Sequence, residues 1–400
     1  MRIVVYVAPF PMRTTMQFAE ALGKLENVRL IGIFQKPPQN QRVFSDIVVL
    51  ENVFDAQRLF SALEKIQHHC GQIHRLLGVL EQLQEVLALA RQRFNIPGMH
   101  PKIVEQFRDK AIMKQVLEKA GISCARFGLL YHFEQLQQFV RQVGFPLVIK
   151  PPAGAGATAT YRVNNWAEAE QAWGKIPGRP VMVEEFVMGT EHSLEAFVLN
   201  GEPVFFSCSR YYPTPLEVKR NPYLQWVVHF PRVLDDPKYQ QIERIGRKVI
   251  RALGIQNGMT HMEWFQRTDG RLVVGEIGAR PPGAQFTNCT SLVYDMDVHF
   301  VWAQLMVNGV WSGKNQRLRA IAVAFLRGQG EGEITAVRNL DQAQKEMGEL
   351  VLDCQLPVVG AQKSSSYEGD GWVIIGHRDD AVVKQAALTL IRTVEISYQK

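Results

Sequence analysis

Two glutamates and an arginine stand out between Gly258 and Arg280, in the segment GMTHMEWFQRTDGRLVVGEIGAR. It reads as two apolar strands joined at Asp269-Gly270, a dipeptide suited to a two-residue hairpin turn. If Thr268 faces Arg271, Glu263 stands directly opposite Glu276, with Cβ atoms about 4.5–5.5 Å apart. Like charges so placed repel, and both interrupt apolar runs, so the pair calls for a cation or a shared proton. A hard divalent ion such as Mg²⁺ answers that need. Alternation with period two then carries Glu276 through Gly278 to Arg280, which brings a guanidinium to the same face, beside any anion the metal holds. His261, two residues before Glu263, shares that face and is a candidate contact for substrate. The competing reading of these residues is a solvated hairpin face.

Two further segments carry chemistry. Leu147-Val-Ile-Lys150 is an apolar strand ending in a cation, and the PPAGAGATAT that follows can bring backbone N–H groups at Gly154, Gly156 and Thr158 close to phosphate oxygens. The G-x-x-x-x-G-K-[ST] loop is absent, and Gly154-Ala-Gly156 lacks the third glycine of a dinucleotide fingerprint. Val181 to Glu191 (VMVEEFVMGTE) runs from a strand into a glycine turn; its carboxylates suit an adenine amino group and ribose hydroxyls, while backbone reads the base edge. Between 207 and 232 lies an aromatic and proline-rich stretch that offers Arg210, Lys219 and His229 as contacts for a substrate anion, with an exposed crossover as the alternative. His68, His69, Cys70 and His74 resemble a metal cluster in composition only, because their spacing straddles a helix end and a strand. Glu81 falls at the end of the strand 73–80, where an open parallel sheet exposes its ligand loops.

The elements that must position these groups follow from periodicity. Residues 2–8 and 28–34 are strands flanking a helical pattern, and helical spacing recurs near 55–68 and over 81–94, which predicts a parallel sheet with covering helices. Asn95-Ile-Pro-Gly98 punctuates the chain, and Phe107 to Ala120 reads as one amphipathic helix closed by Gly121. From 123 to 190 strands and helices alternate in a small α+β unit. Strands at 193–209 and 258–277 with helices at 237–253 and 295–308 follow, and a strand-rich tail ends in a helix at 379–392. The division expected is 1–98, 99–310 and 311–400.

The 400 residues carry 45 Lys and Arg against 39 Asp and Glu, with 46% hydrophobic and 21% charged residues, which excludes a disordered or collagenous chain. The net charge of +6 is scattered, without the basic stripe of a nucleic-acid surface. Five widely spaced cysteines without C-x-x-C argue for a reducing compartment, the cytoplasm. No apolar run approaches the roughly 18–20 residues that span a bilayer, and Met1 to Met12 reads as a buried strand rather than a signal peptide.

Lys110, Lys150, Glu184 to Glu191, Glu263, Glu276 and Arg280 occur in the order and spacing of the ATP-grasp superfamily, which this sequence resembles over about 100–310. DKAIMKQVLEKAGI looks like the helix preceding that family's small ATP lobe, and the tail from 320 is similar to the C-terminal domain of its amino-acid ligase branch. The resemblance implies an α/β (α+β) ATP-grasp fold with an N-terminal Rossmann-like domain, a small ATP lobe at about 123–190 and a strand-rich C-terminal domain. It implies that Lys110, Lys150 and the loop 153–160 hold the ATP phosphates. Glu184 and Glu185 with the Val187 backbone would take the adenine, and Glu191 the ribose. Glu263 and Glu276 would bind Mg²⁺ or Mn²⁺, and Arg280 would stabilise an acyl phosphate. Where the family often has Glu-x-Asn-x-Arg, this chain has Glu276-Ile-Gly278-Ala-Arg280, one oxygen ligand fewer. The activity implied is ATP-dependent joining of a small carboxylate to an amine, in a protein that pairs as a homodimer. The alternatives are a purine-pathway relative using formate or bicarbonate, which predicts phosphate-binding arginines in 207–232, and a nucleotide-binding regulator without catalysis.

Overall fold

The structure is a computed structural model that describes residues 1–153, 159–366 and 368–399. Gly154, Gly156 and Thr158 lie outside the described residues. At the N-terminus, strands Arg2–Ala8, Val28–Phe34, Asp46–Val49 and Ile73–Leu77 form a parallel sheet, with Arg2–Ala8 between Val28–Phe34 and Ile73–Leu77. Its β-branched strands are buried because helices such as Arg13–Gly23 and Ala56–Cys70 cover them. The strand order reverses at Arg2–Ala8, so the crevice beyond Ile73–Leu77 is a topological switch point, and Glu81 opens the short 3₁₀ turn there.

The single helix expected over 107–120 is two. Pro101–Arg108 ends at Asp109, whose carboxylate accepts hydrogen bonds from Ala111 N–H and Ile112 N–H and so caps Lys110–Lys119. Asp109 also bridges Ala153, and Lys110 N–H donates to Pro152 C=O, so the start of the second helix is tied to the segment after Lys150. The small lobe is a four-stranded antiparallel sheet in the order Phe127–Leu130, Val181–Glu185, Leu147–Lys150, Tyr161–Val163. Two helices close its own core around Leu136, Ile149, Trp173 and Val183.

The large sheet has eight strands in the order Leu272–Gly278, Gly258–Arg267, Gly189–Leu199, Glu202–Tyr212, Trp226–Phe230, Ala320–Leu326, Gly371–His377, Val351–Gln355. It runs unbroken through the boundary expected at 311, since Trp226–Phe230 pairs antiparallel with Ala320–Leu326. The tail therefore completes the central sheet rather than building one of its own, apart from the pair Ile334–Arg338 and Glu395–Tyr398. Helix Pro237–Leu253 covers one face of this sheet beside Leu194, Cys208 and Met262. The helix expected over 295–308 starts at Val298, because Asp295 adopts a left-handed conformation and separates it from Phe286–Tyr294. No helix among the described residues is long and apolar enough to cross a membrane.

Candidate active site

The hairpin places Glu263 opposite Glu276, by a route the sequence did not suggest. Arg267 N–H donates to Arg271 C=O, so the loop is three residues, Thr268-Asp269-Gly270, with Gly270 at φ 84°. That turn alone would shift the pairing by one. A bulge at Gly275 inserts one residue between Val274 and Glu276 and restores the glutamate pair. Two departures from the simple hairpin cancel, and both carboxylates reach one face.

That face looks into a cavity of about 630 Å³ between the small lobe and the large sheet. Lys110, Lys150, Glu184, Glu185, Val187, Glu191, His261, Glu263, Glu276 and Arg280 all line it. Ala125, Val187, Val273 and Phe265 pack together as an apolar patch at the lobe junction, a surface on which a flat heteroaromatic ring can lie. Beside it the charges form a chain. Lys110 Nζ lies 2.8 Å from Glu276 Oε1, Lys150 Nζ lies 2.8 Å from Glu184 Oε2, and Lys114 Nζ lies 3.3 Å from Glu184 Oε1. Burial opposes each of these charges, yet the partners prevail: Lys150 is raised by Glu184 and Glu276, Glu184 is lowered by Lys114 and Lys150, and Glu276 is lowered by Lys110 and Lys150.

Two carboxyls go the other way. Burial, and then repulsion from Glu276, raises the pKa of Glu263; burial, and then Glu263 and Glu217, raises that of Glu191 well above the carboxylate range. An acid that resists ionising beside an already ionised neighbour is what a divalent ion relieves. Among the described residues no group of three His, Cys, Asp or Glu side chains could hold a metal alone. The protein offers two hard oxygen ligands and leaves the remainder to other oxygens, the pattern of Mg²⁺ bound together with a polyphosphate. The residues present fit that ion.

Arg280 is held by Glu81, Nε to Oε2 at 3.1 Å, and the other oxygen of Glu81 accepts from Arg108 Nη1 at 2.7 Å. The switch point of the N-terminal sheet thus reaches the cavity, across 199 residues of chain. His261 Nδ1 and Glu195 Oε1 are 2.9 Å apart, and Glu195 is 1% exposed. Glu185 is engaged by Arg126 and Arg267, so it serves as a structural anchor between lobe and hairpin.

Three candidates are not brought to this cavity. Tyr211 lines it, so the alternation of strand Glu202–Tyr212 turns Arg210 to the opposite face, where Arg210 pairs across strands with His229. Lys219 is exposed and is not among the described residues lining the cavity; Arg220 is. His68 and Cys70 end a helix while His74 lies on the following strand, as their spacing implied. Sequence reasoning missed Lys114 and Glu195, although Lys114 is one helical turn from Lys110 and Glu195 alternates with Glu191 on one strand. It also missed Glu368, which reaches the cavity from the tail and accepts a hydrogen bond from Gln285; nothing local in the sequence marks it.

Residues 115–285 match the ATP-grasp domain family. The chain carries an ATP-grasp domain. An L-arginine-specific L-amino acid ligase from Bacillus subtilis is 24% identical over 245 residues, covering 59% of this chain and 58% of that protein. The ATP-grasp fold extends over the whole chain: an L-amino acid ligase from Bacillus licheniformis superposes with a TM-score of 0.82 at 18% identity, covering 100% and 99% of the two chains. An N5-carboxyaminoimidazole ribonucleotide synthetase from Thermotoga maritima gives 0.73 at 18% identity and full coverage of both. The chain spans little more than half the length of the relatives it matches in sequence, 52% and 58% for the first two.

Proposed function

We propose that this protein is an ATP-dependent carboxylate–amine ligase acting on an amino acid or small carboxylate. The observation that carries the reading is the convergence of the paired Glu263 and Glu276, the lysines of Lys110 and Lys150, and Arg280 on one cavity. The Bacillus subtilis relative, by its name an amino acid ligase, supports the same class.

In this reading the apolar patch with the Val187 backbone seats the adenine, and the Glu184 carboxylate, held by Lys114 and Lys150, accepts from its amino group. Glu191 takes the ribose hydroxyls. Lys110 and Lys150 exchange protein carboxylates for phosphate oxygens, so their charges are never left bare. Glu263 and Glu276 would hold Mg²⁺, which when bound neutralises charge on the terminal phosphates. The substrate carboxylate attacks the γ-phosphorus and ADP leaves; the amine then attacks the acyl carbon and expels phosphate, losing one proton as the amide forms. Arg280 sits where it can neutralise the acyl phosphate and the oxyanion that develops on it, and Glu81 fixes the guanidinium until then. No side chain acts as nucleophile; positioning and charge neutralisation carry the reaction.

We assign 1–98 to an N-terminal unit, 99–310 to the ATP-grasp unit and 311–400 to the strands that complete its sheet. Five free cysteines support a cytoplasmic setting. The purine-type alternative calls for phosphate-binding arginines from 207–232; among the described residues Arg220 lines the cavity and Arg210 faces away from it.

The test is ADP release with Mg²⁺ and ATP across a matrix of amino acids and small carboxylates, with Glu276→Gln as control. Release that requires a carboxylate and an amine together, and is absent from the variant, is the expected result. ATP binding without turnover anywhere in the matrix would favour the regulatory alternative.

A further inference from the structure

Arg210 and His229, turned away from the ATP cavity, meet on the other face of the large sheet. They floor a second cavity of about 730 Å³, walled by Arg232 on one side and by Arg378, Asp380 and Lys384 at the start of helix Asp380–Thr393 on the other. His229 is 3% exposed, and neither of its ring nitrogens makes a hydrogen bond; the nearest group, Asp380 Oδ1, lies 3.4 Å from Nε2. A buried imidazole whose nearest polar partner is so long a contact is costly and rare in native proteins. Burial lowers the pKa of this ring despite Asp380, so it is neutral and carries one N–H donor.

Of the three aspartates lining the cleft two are engaged, while Asp235 is exposed at its rim. Asp379 caps the helix through Ala381 N–H, and Asp380 accepts from Arg232 N–H and Val233 N–H. The cations are less committed: among the described residues the Arg378 guanidinium has no hydrogen-bond or ion-pair partner, and the Lys384 ammonium is 5.3 Å from the Tyr212 ring centroid. An unsatisfied imidazole N–H, an unpaired guanidinium, an ammonium and a helix N-terminus all favour negative charge at one place.

We propose that this cleft binds a small oxyanion, a phosphate or a carboxylate, held by the His229 ring N–H, Arg378 and Lys384. The site is separate from the ATP cavity, with the Arg210–His229 strand pair as the wall between them. It does not depend on the ligase reading.

The test titrates the full chain with sodium phosphate and, separately, sodium succinate, by calorimetry and by NMR of ¹³C-labelled histidines, with the His229 signal assigned through His229→Gln. Either anion should shift the His229 resonances, and the tighter of the two names the ligand class. The exposed double variant Arg378→Ala/Lys384→Ala should bind about tenfold more weakly, the loss of two charge-assisted contacts. Glu276→Gln, in the other cavity, should leave the anion-dependent shift of the His229 signal as it is in the unmodified chain. Silence of the His229 signal with both anions at high millimolar concentration would overturn the proposal. So would undiminished binding by the double variant, or a loss of binding confined to Glu276→Gln, which would place the anion in the ATP cavity.

Discussion

Glu276 serves two partners: it neutralises Lys110 before nucleotide arrives, and in the proposed mechanism it passes to the metal once phosphates take that lysine. Glu276→Gln keeps the shape and removes the charge. It is expected to cut ADP release by about 10²–10³-fold, the scale of losing one charge-stabilising group, while the melting temperature stays close to that of the unmodified chain. Lys114 behaves differently, because it is wholly buried and, among the described residues, its ammonium pairs with Glu184 Oε1. Lys114→Met should cost about 1–3 kcal/mol in urea unfolding, since Glu184 keeps Lys150 but loses its second cation. It should also weaken nucleotide binding, whereas kcat at saturating ATP changes little; a large fall in kcat at saturation would place Lys114 at the phosphates instead.

At the level of elements, the site rests on close approaches of backbone. A Cβ built on Gly189 would fall 2.1 Å from Gln266 C=O, so strand Gly189–Leu199 can lie against the hairpin only with glycine there. Gly189→Ala should therefore force the two strands apart, destabilise the protein by about 1–3 kcal/mol and raise the KM for ATP, checked by thermal melting together with initial rates. Unchanged KM with lowered stability would mean that the Val187–Glu191 segment does not touch nucleotide. This is also where the sequence was most and least legible. Period-two alternation placed Glu263, Glu276 and His261 on one face, because the strands are apolar on the other side and a slip would bury charge. The three-residue turn and the Gly275 bulge were invisible, since Asp-Gly suits either loop and a glycine in a strand marks a bulge only in retrospect. The break at Asp109 was legible in principle, as an acid followed by a helical run, but the continuous apolar face from Phe107 masked it. Arg210, Lys219 and His229 were drawn to the cavity by proximity in sequence alone, and alternation next to Tyr211 shows why the first belongs elsewhere.

For the molecule as a whole, long-range pairing decides what local pattern cannot. The tail looked independent because its strands follow one another, yet Ala320–Leu326 completes the central sheet, and Glu368 reaches the cavity only through that arrangement. The N-terminal unit is fixed to this body partly through His299, whose ring meets Phe18 edge-on at 4.6 Å. Burial lowers the His299 pKa from 6.5 to about 4. Below pH 6.5 the unfolded chain takes up this proton before the folded one does, so the contribution to stability falls as pH falls from 6.5 toward 4. The slope approaches one proton, about 1.4 kcal/mol per pH unit. His299→Phe should remove it, seen as a flatter difference in unfolding free energy between the two proteins over that window. Parallel curves would show that the ring titrates normally.

The central claim is that a substrate carboxylate attacks the γ-phosphate, and isotope transfer tests it at the bond concerned. With an ¹⁸O-labelled carboxylate that supports turnover, mass spectrometry of the products should find one ¹⁸O in the inorganic phosphate and none in ADP, because the acyl phosphate gives up its bridging oxygen with the phosphate. Unlabelled phosphate alongside amide product, or label in AMP, would contradict the account.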